Sequence, residues 1–68
     1  RGHIDVGFEE NGAYYMEIYN MAGEMLVSEE AYGISWGKDL NNVPDGMYLL
    51  RIINSDHKFE LIKFIIRH

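Results

Sequence analysis

The stretch from Lys38 to Ile52, KDLNNVPDGMYLLRI, constrains the chain most, because it joins the only proline to the densest strand-forming run. Pro44 fixes φ at about −65° at an early turn position, Asp45 can bond its own backbone, and Gly46 is free to take positive φ. The run that follows is apolar on both parities. Tyr48, Leu50 and Ile52 share one face, and Met47, Leu49, Arg51 and Ile53 share the other. A strand of that kind suits a central, largely buried place in a sheet.

Around it, turn signals recur every eight to twelve residues or so. His3–Glu9 alternates Ile4, Val6 and Phe8 with Asp5, Gly7 and Glu9, the pattern of a half-buried strand. Asn11-Gly12 is a strong hairpin signal, since both residues tolerate φ > 0. A second strand is expected over 14–20, a turn at Asn20–Gly23, and a third strand over 25–31 that ends in solvent at Glu29-Glu30. A fourth is expected over 34–40, a fifth over 47–53, and a sixth over 58–67. The sixth changes parity: Phe59 and Leu61 are apolar at odd positions, then Ile62, Phe64 and Ile66 at even ones. A strict pleat cannot bury both sets on one face, so we expect either a bulge or twist near 61–63 or a strand covered on both sides. The fold class is all-β: a small immunoglobulin-like β-sandwich of about six antiparallel strands, with no helix.

A chain of 68 residues makes one domain and buries only about 60% of its unfolded surface. With no cysteine and 47% apolar residues, its core rests on packing alone. Net charge is −5 and uneven: residues 1–34 carry seven acids against Arg1, whereas residues 35–68 carry five bases against four acids. An acidic chain without a basic stripe is a poor partner for nucleic acid.

Catalysis finds little to work with. The serines (Ser28, Ser35, Ser55) lack a neighbouring base and a glycine-flanked elbow, and Glu9-Glu10 and Glu29-Glu30 read as solvated pairs at strand ends. His3, His57 and His68 have no metal-ligand spacing and read as solvated histidines. Asp39, Asp45 and Asp56 form no calcium loop and read as turn-stabilising side chains. No catalytic residue, metal, cofactor or small-molecule substrate is expected. Tyr14, Tyr15, Tyr19, Tyr32, Trp36 and Tyr48 could form a sugar-stacking surface; the favoured reading keeps Trp36 and Tyr48 in the core.

Three segments together carry a family resemblance. MEIYNMAGEML (16–26), KDLNNVPDGMYLLRI (38–52) and KFIIR (63–67) are similar, in order and spacing, to the C-terminal sorting domain of type IX secretion cargo. That family shows a V-x-V-Y-(D/N)-x-x-G-x-x-V hairpin, a D-L-x-x-L-P-x-G-x-Y segment and a closing strand with spaced basic residues. The chain departs from the pattern in its opening Tyr-Pro-Asn-Pro segment, in Glu24 where a basic residue is usual, and in Lys38 where an apolar one is common. The resemblance implies a non-catalytic export signal, the C-terminal module of a longer protein, with residues 1–68 as a single domain. It also implies passage from periplasm across the outer membrane to the cell surface of a Gram-negative bacterium, and a proteinaceous partner in the secretion machinery. Its motif residues fall here on Gly23, Pro44, Gly46, Tyr48, Lys63 and Arg67. An exposed edge strand near the end of the chain could be gripped by strand addition or pair with another copy as a dimer. The alternative is a structural or glycan-binding immunoglobulin-like accessory module of an exported surface protein.

Overall fold

Two of the turns are built from the same parts. Asn20 Oδ1 accepts hydrogen bonds from the N–H groups of Ala22 and Glu24, and Asn54 Oδ1 accepts them from Asp56 and Lys58. In each, the fourth residue has positive φ: Gly23 at 88° and His57 at 66°. The asparagine side chain replaces backbone partners that a tight reversal leaves unmade, and a histidine in the left-handed region is held there by those bonds.

A computed structural model describes residues 2–68. Four strands, β1 (His3–Asn20), β2 (Met25–Asp39), β3 (Gly46–Asn54) and β4 (Phe59–Ile66), form one antiparallel sheet in the order β2-β1-β3-β4. β3 lies inside the sheet, as its two apolar parities require. The six expected strands become four because the first two fuse into β1 and the next two into β2. Asn11-Gly12 does not reverse the chain. Gly7 pairs with Ser35 and Gly12 with Gly33, so residues 8–11 bulge opposite Ile34 alone. The turn chemistry is spent on a bend rather than a hairpin.

That bend, with its counterpart in β2, doubles the β1–β2 ribbon back over the sheet. Lys38 Nζ donates to Glu29 Oε2, and Trp36 Nε1 donates to Glu29 Oε1 at 3.1 Å. Residues nine apart in a straight strand would be separated by about 30 Å, so β2 must fold sharply between them. Gly33, at φ 106°, supplies the conformation. In β1 the rings of Phe8 and Tyr14 stack at 3.8 Å, and Tyr14 Oη donates to the Glu10 carbonyl at 2.7 Å. Glu29 is therefore not a solvated strand end; it faces the core side and ties the two halves of β2 together.

The core lies between the sheet and its folded-back arm. Met16, Ile18, Tyr48, Leu50, Ile52 and Ile66 come from the sheet; Trp36 and Leu40 come from the arm, with half-buried Ile4, Val6 and Phe8 packed beside them. Trp36 and Tyr48 are thus core residues, at 8% and 5% exposure. The parity change in β4 is resolved by neither a bulge nor a cover. The β3–β4 register runs unbroken from Gly46↔Ile66 to Ile53↔Phe59, and Phe59 and Leu61 are exposed at 59% and 57%. The strand is regular, and its odd positions simply point to the open face.

Two predictions follow from this packing. Tyr48→Ala should cost about 3–5 kcal/mol, the range for a truncated buried aromatic, measured by urea unfolding followed through Trp36 fluorescence; a loss below about 1 kcal/mol would contradict its place in the core. The second concerns pH. The Lys38 ammonium, helped by the Trp36 N–H and opposed by burial, holds the Glu29 carboxyl below its ordinary value. A carboxyl depressed in the folded state stabilises fully above the unfolded value of about 4.3 and loses that contribution as pH falls through the folded value. The urea midpoint should therefore fall on acidification, and Lys38→Met should flatten the fall; an identical acid slope in the variant would refute the tie.

Candidate recognition site

Antiparallel pairing brings the three motif segments to one end of the sheet. Asn20, Tyr48 and Phe64 are neighbours across β1, β3 and β4, and Gly46 pairs with Ile66. The turn after β1, the turn before β3 and the end of β4 thus lie side by side, although they are separated by some twenty residues each in the chain.

The middle of this end is built around Pro44–Tyr48. The hydrogen-bonded reversal is Leu40–Val43, closed by Val43 N–H to the Leu40 carbonyl at 3.0 Å, with Asp39 Oδ1 accepting from Asn41 N–H at 2.9 Å. Pro44 then leads the chain out, and its carbonyl accepts the Tyr48 hydroxyl at 2.5 Å. The Tyr48 ring packs against Phe64 at 6.0 Å between centroids. Gly46 enters the strand at φ 156°, a backbone conformation essentially restricted to glycine. Asp45 Oδ1 accepts the His68 N–H at 3.0 Å, and His68 Nε2 donates to the Val43 carbonyl at 2.6 Å. The last residue of the chain is thereby seated on the turn. Gly2 sits beside it, where an added Cβ would collide with the side chains of Asn41 and His68.

The six residues singled out by the motif divide in two. Tyr48 is buried and serves the packing. Gly23, Pro44, Gly46, Lys63 and Arg67 are exposed, Lys63 on the open face opposite Leu49 and Arg67 just beyond β4. Pro44, Gly46, Tyr48, Lys63 and Arg67 gather along β3 and β4, while Gly23 tops the neighbouring β1–β2 turn. The sequence places Asp45 here as a side chain that bonds its own turn, but its Oδ1 instead takes the N–H of His68, which the sequence does not place here; the pairing of a turn with a residue 23 positions away leaves no local trace. His68 is docked rather than simply solvated, and His3 bonds Asp5 Oδ1 at 3.0 Å. Among the described residues no cluster of three or more His, Asp or Glu side chains could hold a metal ion.

β4 is an edge strand, hydrogen-bonded to β3 on one side only, so its outer N–H and C=O groups are available to a further strand. An edge of eight residues that carries Lys63 within it and Arg67 just beyond it can be read by main-chain bonding with charge marking its position.

The chain belongs to the family described as secretion system C-terminal sorting domain, whose model matches residues 1–67. It is a sorting signal of type IX secretion. No curated protein and no solved structure matches it.

Asp45→Ala should release the C-terminal residue: the His68 amide should exchange with solvent faster, at a stability cost of about 0.5–1.5 kcal/mol. Unchanged exchange at His68 would show that the Asp45 bond does not hold it.

Proposed function

We propose that the chain is the C-terminal module of a longer exported protein and acts without catalysis, by being gripped along β4. The reading takes the secretion machinery at the outer membrane of a Gram-negative bacterium as partner. That machinery meets the folded domain in the periplasm and passes the attached cargo to the cell surface. Gly23, Pro44 and Gly46 shape the turns at the end of the sheet, Tyr48 supports them from the core, and Lys63 and Arg67 mark the strand that is read. The observation that carries this proposal is the convergence of the three motif segments on the end of an edge strand with a free side. Strand addition draws affinity from main-chain bonds, which any partner sheet can make, and specificity from the side chains beside them.

We also read the doubled β1–β2 ribbon as the second layer of an immunoglobulin-like sandwich. What supports this is the shared core between the arm and the sheet, the packing relation that defines two-layer β domains.

The test is a fusion of residues 1–68 to the C-terminus of a periplasmic reporter in a host that has the secretion apparatus. The reporter should reach the cell exterior, and deletion of 62–68 should leave it in the periplasm. Retention of the complete fusion, with the domain folded and intact, would sink the proposal.

A further inference from the structure

The open face of the sheet is apolar and uncovered. Its odd-numbered positions place Tyr15, Ile53 and Phe59 in one row and Leu49 beside Tyr19 in another, with Met47 opposite Ile65 at the end. Phe59, Leu61 and Ile65 are more than half exposed. Solitary exposed apolar side chains are ordinary, but a contiguous set across three strands marks an interaction surface.

We propose that this face joins two copies of the chain, related by a two-fold axis that runs along the strand direction. Three observations select that occupant. First, the charges at the centre of the face are already matched within the chain. Arg51 Nε donates to Glu17 Oε1 at 2.7 Å and Nη2 lies 2.6 Å from the same oxygen; the guanidinium also lies over the Tyr19 and Phe59 rings, at 5.9 and 5.6 Å. Glu17 is only 7% exposed. The centre therefore asks a partner for apolar contact and no counter-charge.

Second, the margins of the face carry opposite signs. Glu24 and Glu30 lie along the β2 side; Lys58, Lys63 and Arg67 lie along the β4 side, all exposed. Third, the register aligns them. Glu30, Tyr15, Ile53 and Phe59 form one row, which ends next to Lys58, and Met25, Tyr19, Leu49 and Lys63 form another, which begins next to Glu24. Rotation about an axis along the strands lays the β2 margin of one copy over the β4 margin of the other, with Glu24 toward Lys63 and Glu30 toward Lys58. Rotation about an axis across the strands would lay acid on acid. A face that complements itself in one orientation is the property of an isologous interface, and aligned sheet packing about 10 Å apart accommodates the side chains. An anionic membrane is a poor occupant for a chain of net charge −5. The pairing leaves the outer edge of β4 and Arg67 free while engaging Lys63, and it does not rest on the sorting role.

Sedimentation of the chain from micromolar to millimolar concentration should show a monomer–dimer equilibrium. Leu61→Glu, on an exposed position, should weaken the dimer by about tenfold or more with circular dichroism and thermal midpoint of the monomer preserved. Lys63→Glu should weaken it as well, and Glu24→Lys added to Lys63→Glu should restore it. A chain that stays monomeric at millimolar concentration overturns the proposal in favour of a different protein partner. A dimer indifferent to Leu61→Glu, or a charge swap without rescue, overturns it too.

Discussion

A four-stranded sheet has two faces, and among the described residues no helix stands over either. The whole structure depends on how one face is nonetheless closed: the β1–β2 ribbon folds back on itself. The reversal is made by a bulge over residues 8–11 and a glycine at 33, and it is held by the Glu29 carboxylate, which takes both the Lys38 ammonium and the Trp36 N–H. Without that fold-back, Trp36 and Leu40 would hang beyond the sheet, and Met16, Ile18 and Leu50 would face water. The ion pair is partly exposed, so its direct contribution is modest. Its larger effect is geometric, because it fixes where the ribbon turns and therefore which residues meet across the core.

Much of this was readable from the residues, and the failures share one cause. The central position of β3 followed from its two apolar parities, and the core places of Trp36 and Tyr48 followed from the alternation around them. The turn at Asn20–Gly23 and the break between the strands over 47–53 and 58–67 followed from the turn residues between the alternating runs. What local pattern cannot express is whether a flexible dipeptide reverses the chain or only bends it. Asn11-Gly12 permits a hairpin, but the long pairing of β1 with β2 rewards continuing the ladder more than ending it. Glu29 is the same problem from the other side: a charge in mid-strand looks solvated until its partner, nine residues on, is folded back against it. The seating of His68 on Asp45 and Val43 depends on topology alone, so no local pattern announces it.

The parity change in β4 is instructive in a different way. Under the assumption that a small sheet has one wet face, Phe59 and Leu61 require a bulge or a cover. The register is unbroken, so the assumption fails and the open face is itself apolar. Arg51 makes that tolerable: salt-bridged to Glu17, whose carboxylate raises the guanidinium further above its ordinary value, it spreads over two aromatic rings and shields part of the surface. The surface that remains is what an association would cover.

The burial of Tyr48 also constrains how such a domain can be recognised. Its hydroxyl is consumed by the Pro44 carbonyl and its ring by Phe64, so a folded domain cannot offer it to a partner. The proline, the glycine and the tyrosine of the segment then act as one unit. Pro44 and Gly46 set the path from the Leu40–Val43 reversal into β3, and the Tyr48 hydroxyl holds the Pro44 carbonyl from beneath. Asp45 between them receives the end of the chain, and Ile66 pairs with Gly46 to set where β4 stops. On the proposed reading of β4, a partner would meet backbone groups and the charges of Lys63 and Arg67, held in place by residues it would not touch. On that same reading, loss of Tyr48 would act through the position of β4 rather than through a lost contact. In the same way Gly46 matters for the conformation it permits, since an added side chain there would meet only ordinary van der Waals neighbours.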